Sequence, residues 1–130
     1  MPAVPTIPDS HADLLDAAGV ATLSTIGPDG RPQVTAIWYV RDGDVVRMSA
    51  LRSRQKYRNV AARPQATLFL LDPANPYRTL EIRGDVALED DADLAFFTQV
   101  AHRYGSEPEA FPTDGRVILT LTPRHVSSFG

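Results

Sequence analysis

"VATLSTIGPDGRPQVTAIWYVRDGDVVRMSA", residues 20–50, divides into three strand-type segments separated by two turns. Val, Ile, Thr, Trp and Tyr crowd the segments 20–26, 33–40 and 45–50, the residues that suit a pleated, half-buried surface. "GPDGRP" sets glycine and proline at both flanks of the first turn. Asp42-Gly43 in the second is a strong hairpin signal. The spacing predicts three consecutive antiparallel strands, a meander.

Downstream the pattern changes period. In "SALRSRQKYRNVAARPQ", residues 49–65, Tyr57, Val60 and Ala61 fall at i, i+3 and i+4, one face of a helix. Ser53 is the expected N-cap, and Arg63-Pro64 the expected end. "ATLFLL" (66–71) is apolar without alternation, which predicts a strand covered on both faces. In a long strand over 77–88, Leu80, Ile82, Val86 and Leu88 face one way and Thr79, Glu81, Arg83 and Asp85 the other. Gly84 interrupts it as a bulge or barrel corner. "EDDADLAFFTQVAHRYG" reads as a helix with acids at its start, His102 and Arg103 in its last turn, and Gly105 as terminator. One or two strands close the chain over 116–130. Upstream, residues 1–8 form a proline-bearing loose arm, and Asp9 or Ser10 caps a short helix through Ala18 that Gly19 stops.

The sum is a mainly β (α+β) domain, one unit over residues 1–130, with about six strands and two or three helices. A small antiparallel barrel is the natural way to remove exposed sheet edges in such a chain. Composition narrows the function. The chain has 130 residues, 43% of them hydrophobic and 22% charged, as in ordinary globular proteins. No apolar run approaches the ~20 residues of a membrane span. The start lacks a basic n-region and an apolar h-region, so no signal peptide is expected, and the cytoplasm is the expected location. There is no cysteine, which excludes thiol catalysis, disulfides and cysteine metal sites.

The charge pattern is uneven. Net charge is -3, yet Arg52, Arg54, Lys56, Arg58 and Arg63 stand together without an acid, and Lys56 is the only lysine beside twelve arginines. If Ser53 caps the helix, Arg54 and Lys56 lie in its first turn, where each cation opposes the helix dipole at up to ~1 kcal/mol. Free N–H groups, a hydroxyl and cations in one place suit a phosphate or carboxylate. The alternative is a solvated face paired with acids elsewhere. A nucleic-acid surface is not expected, because one short patch beside a single tyrosine is no groove and the remainder is acidic. No G-x-S-x-G, phosphate-loop or G-x-G-x-x-G motif is present. His11, His102 and His125 are isolated, and Asp90, Asp91 and Asp93 suit a helix start better than a metal.

Together, "LSTIGPDGRPQV", the "WY" of the second strand, "R-x-K-x-R-N-V" followed by "RPQATL", "RTLEIRGDVAL" and the closing "RVILTLTPRHV" resemble the flavin-binding split-barrel family related to pyridoxamine 5'-phosphate oxidase. In particular they resemble its short actinobacterial branch that depends on the deazaflavin F420. The resemblance runs over about residues 10–127 and implies a six-stranded antiparallel split β-barrel. It implies that Arg54 and Lys56 hold the cofactor phosphate with Ser49 nearby. Gln33, Thr35 and Trp38 would lie beside the ring, and Arg52 and Arg58 would reach the acidic tail that F420 carries and FMN lacks. It also implies a homodimer with cofactor clefts between protomers, closed by Tyr77 and Arg116 of the partner chain. The implied function is hydride transfer between reduced F420 and a small unsaturated or conjugated substrate. The alternatives are an FMN-dependent relative of the oxidase and a non-catalytic carrier of FMN, F420 or haem. A flavin or deazaflavin carries the hydride itself, so no catalytic triad is needed and no catalytic residue is assigned.

Overall fold

The computed structural model describes residues 5–130. One seven-stranded antiparallel sheet, in the order β2-β1-β5-β6-β7-β4-β3, carries the fold. Its strands are β1 (Ala21–Ile26), β2 (Pro32–Ile37), β3 (Val40–Asp42), β4 (Val45–Leu51), β5 (Gln65–Asp72), β6 (Asn75–Asp90) and β7 (Arg116–Phe129). The helices are α1 (Ala12–Asp16), α2 (Gln55–Ala62) and α3 (Ala95–Arg103), with 3₁₀ turns at Asp9–His11 and Pro108–Ala110. The mainly β reading and the split barrel hold. The sheet curls without closing, because its edge strands β2 and β3 do not pair.

The strand count exceeds the expected six because the segment 33–40 is broken. Trp38 and Tyr39 leave the extended pairing, so β2 and β3 are two strands at opposite edges, and the predicted meander is two separate hairpins. The cause is side-chain chemistry. The Tyr39 ring is buried and its hydroxyl donates to the Leu14 carbonyl oxygen at 2.7 Å, while its N–H donates to Tyr104 Oη at 3.1 Å. Tyr104 Oη donates in turn to the Gly19 carbonyl at 2.7 Å. The corner is held from two sides, and the chain crosses from one sheet edge to the other.

The long strands follow their alternation. Leu80, Ile82 and Val86 of β6 are buried with Leu68, Leu70, Leu119 and Leu121 in one core that Leu15, Tyr39 and Met48 complete. At Gly84 the pairing with β7 shifts, as the glycine signalled, and a Cβ there would collide with the Thr122 carbonyl oxygen. The apolar strand β5 departs from expectation. Ala66, Leu68 and Leu70 point inward, but Phe69 and Leu71 are 36% and 48% exposed on the outer face. Only one face is covered within the protomer.

The caps also differ from the sequence reading. Arg54, not Ser53, is the N-cap of α2, with no side-chain cap bond, and Arg63 is the C-cap as expected. Asp9 and Ser10 belong to a 3₁₀ turn instead of capping α1, which ends at Asp16, before Ala18. At α3 the acids precede the helix. Asp91, buried, accepts the Phe96 and Phe97 N–H groups at 3.2 and 2.8 Å, and Gly105 adopts φ 74° beyond the C-terminus. Residues 1–4 of the expected arm lie outside the described residues, and Ile7 is buried in the main core. Gly84→Ala is expected to lower unfolding free energy by about 1–3 kcal/mol, because the obstacle is backbone and cannot rotate away. Urea denaturation checks this, with the midpoint falling and the slope unchanged.

Candidate functional site

A cleft lies between β2 on one side and β4 with the start of β7 on the other. It has two lobes. Gln33 and Thr35 of β2, Ser49 of β4, Arg54 to Lys56 at the start of α2, and Arg116 of β7 surround a polar lobe of about 520 Å³. An apolar lobe of about 350 Å³ is lined by Ile37, Trp38, Phe97, Val100 and Phe111. Ser49, Lys56, Phe111 and Arg116 belong to both, so the lobes share a wall.

Each functional side chain has a local reason for its position. On β2, Gln33 and Thr35 alternate with the outward Val34, so both reach the cleft. Trp38 stacks on Tyr104 with centroids 4.4 Å apart and planes 9° from parallel, and meets Phe111 edge-on at 5.5 Å. One ring face is therefore taken by packing. Arg116 lies over the Phe97 ring at 3.8 Å, donates Nε to the Pro112 carbonyl at 2.9 Å, and sets Nη1 3.5 Å from Ser49 Oγ. Lys56 Nζ reaches Thr35 Oγ1 at 3.4 Å.

The electrostatics are those of an anion site. Among the described residues no carboxylate forms an ion pair with Arg54, Lys56 or Arg116. Burial pushes the Lys56 ammonium below its ordinary value of 10.5, and the Arg54 and Arg116 charges push it the same way. Burial likewise lowers Arg116, Arg54 adds to the fall, and Asp91 opposes it. Lys56 and Arg116, whose charged forms are disfavoured, stand with exposed Arg54 beside the first turn of α2, an arrangement that suits a phosphate or carboxylate. The adjoining lobe is lined mainly by apolar and aromatic side chains. Among the described residues no group of three or more His, Asp or Glu gathers to hold a metal ion, and no helix is long and apolar enough to cross a membrane.

Seven of the residues singled out from sequence meet here: Gln33, Thr35, Trp38, Ser49, Arg54, Lys56 and Arg116. Arg116 stands in the cleft of its own chain beside Lys56. Three stand apart. Arg52 pairs with Asp90 and donates to Tyr57 Oη at 3.1 Å. Arg58 donates to Gln55 Oε1 and to the Ser53 carbonyl. Tyr77, 77% exposed, sits at the start of β6 away from the cleft. The sequence reading missed Gln55, Phe97, Val100 and Phe111 as lining residues. Phe111 lies in an aperiodic loop, where nothing local marks which way a side chain turns.

The profile of the pyridoxamine 5'-phosphate oxidase family matches residues 7–130. A solved structure named as an F420 reductase is 39% identical, with a TM-score of 0.86, over 93% of this chain and 98% of its own. At 17% identity and a TM-score of 0.73, a pyridoxamine 5'-phosphate oxidase-like protein from Listeria innocua aligns over 92% of this chain and 95% of its own. The haem storage protein HutZ from Vibrio cholerae aligns at 16% and 0.71, over 97% and 96%. The last two share the fold.

Arg54→Ala and Lys56→Ala are each expected to weaken phosphate binding roughly 10- to 150-fold, the loss of a charge-assisted bond. Arg124→Ala, whose guanidinium pairs with Asp85 outside the cleft, should leave it unchanged. Calorimetric titration checks both. The sign of the pH effect follows from Lys56. An anion raises the depressed pKa, so binding above the free protein's value takes up a proton. Affinity then falls as pH rises through that value, which lies below 10.5. Lys56→Arg should remove this alkaline step and cost affinity by on the order of 1 kcal/mol, because a planar guanidinium replaces a compact ammonium.

Proposed function

The chain belongs to the pyridoxamine 5'-phosphate oxidase family, and we propose that it is an oxidoreductase using F420 in this cleft. The observation that carries the reading is the shared wall: a lobe of unpaired cations adjoins an apolar, aromatic-lined lobe of about 350 Å³. Arg54, Lys56 and Arg116 would hold the phosphate, with Ser49 and Thr35 hydroxyls as further donors. Trp38, Phe97, Val100 and Phe111 would flank the ring and exclude water from it. When bound, a deazaflavin supplies or accepts the hydride, and a small unsaturated or conjugated acceptor is the substrate class. The 39% identity to a protein named as an F420 reductase supports F420 over FMN. Among the described residues the cleft lining holds no histidine, cysteine or methionine, which favours a flavin over haem.

We infer a homodimer as the working form. The outer face of β1, β2 and β5 exposes Val20, Val34, Phe69 and Leu71, and Val20 and Ala36 continue that face into the cleft. A second copy laid there would cover the bare side of β5 and wall the apolar lobe, and Tyr77 is free to reach across it. Exposed apolar surface of this continuity favours association.

Absorption titration with F420 and with FMN is the test, followed by turnover of the reduced cofactor with an electron acceptor. F420 binding with turnover is expected. Binding without turnover would leave a carrier, and no binding of either would overturn the reading. Light scattering should give twice the 14.2 kDa chain mass. Phe69→Asp should give a monomer with weaker cofactor binding, because a charge on this face opposes its burial.

A further inference from the structure

The geometry points to Arg58 and Asn59 as positioning residues that fix the hydrogen-bonding polarity of the polar lobe through Gln33. Neither lines the cleft. Arg58 donates Nη2 and Nε to Gln55 Oε1 at 2.8 and 3.3 Å. Gln55 Nε2 donates to Asn59 Oδ1 at 2.8 Å, and Asn59 Nδ2 donates to Gln33 Oε1 at 3.1 Å and to Thr25 Oγ1 at 3.0 Å. Asn59 is 0% exposed and Thr25 is buried, so water is not there to replace a lost partner.

The direction of this chain is forced at its start. A guanidinium has donors only, so Gln55 must turn its oxygen to Arg58 and its NH₂ to Asn59. Asn59 must then accept through its oxygen and donate through its nitrogen. Gln33 must accept at Oε1, which leaves its Nε2 hydrogens without a partner among the described residues and open to the polar lobe. Reversing the Asn59 amide would set two donors or two acceptors against each other where Asn59 and Thr25 are buried, whereas the Arg58–Gln55 end of the relay is exposed. The lobe's hydroxyls are biased in the same sense. Lys56 is donor-only, so Thr35 Oγ1 accepts from it, and Ser49 Oγ accepts from Arg116. Both hydroxyl hydrogens are left for a ligand. The lobe therefore presents donors and no obligate acceptor. It selects a group made wholly of acceptors, a phosphoryl or carboxylate, over one that carries N–H. This rests on the cleft being the anion site of the cofactor, and it adds residues outside the cleft that set what the site accepts.

Calorimetric titration of inorganic phosphate into the full-length protein, at fixed pH and ionic strength, tests it. Arg58→Met is expected to weaken phosphate binding about three- to tenfold, the value of one hydrogen bond. Arg58→Lys, still a donor, should restore it. In a Gln33→Ala background, Arg58→Met should have no further effect. Equal weakening in both backgrounds would overturn the proposal, because a through-space charge effect does not need Gln33. Unchanged binding in Arg58→Met, or no phosphate binding to wild type, would overturn it as well. Independent of any variant, the Gln33 side-chain amide resonances should shift on phosphate addition in wild type, and an unshifted pair counts against the relay. The cofactor reading fails separately, if neither F420 nor FMN binds.

Discussion

The Tyr104 hydroxyl holds together what the rest of the structure depends on. It donates to the Gly19 carbonyl and accepts the Tyr39 N–H, while its ring carries the stacked Trp38. These contacts fasten α3 to the corner between β2 and β3. Without a corner there, residues 33–40 would run on as one strand and pair with β1 and β4 as a meander. With it, β2 and β3 take opposite edges, and the cleft lies between β2 and β4. The constraint is local in space and long in sequence, 65 residues from Tyr39 to Tyr104.

Charge is sorted around that cleft. Among the described residues, seven of the twelve arginines have carboxylate partners: Arg31 with Asp29, Arg41 with Asp16, Arg47 with Asp42, Arg52 with Asp90, Arg78 with Asp13 and Asp72, Arg83 with Glu81, and Arg124 with Asp85. Such exposed pairs contribute little stability each. Their effect here is to leave Arg54, Lys56 and Arg116 as the concentrated positive field of a chain that is acidic as a whole. Burial and neighbouring charge work against the charged forms of Lys56 and Arg116, and a bound anion would relieve both.

Much of this was legible in residues 20–90. Turn chemistry marked the hairpins, alternation marked the buried face of β6, and Gly84 marked the bulge with β7. The basic cluster was visible as cations without acids, and seven of the residues singled out from sequence line the cleft. The break at Trp38-Tyr39 was not legible, because both residues favour strands and the force that bends them comes from Tyr104 and Leu14. Phe111 and Val100 were missed for a related reason: a wall is defined by what stands opposite. Arg58 illustrates the gap differently. Its charge was evident and its bond to Gln55 is local to α2, but the link through Asn59 to Gln33 exists only once α2 packs against the β1–β2 hairpin.

The sequence by itself determined the local events: where strands begin and turn, which face of each is apolar, where the helices stop, and where positive charge is concentrated. These depend on periodicity, backbone freedom and charge over a few residues, which the order of residues states directly. The tertiary structure alone decided which edges remain apart, which side chains share a cavity, and that β5 keeps one bare apolar face in the protomer. Those outcomes are set by contacts between segments tens of residues apart, each the balance of burial and hydrogen bonding in three dimensions.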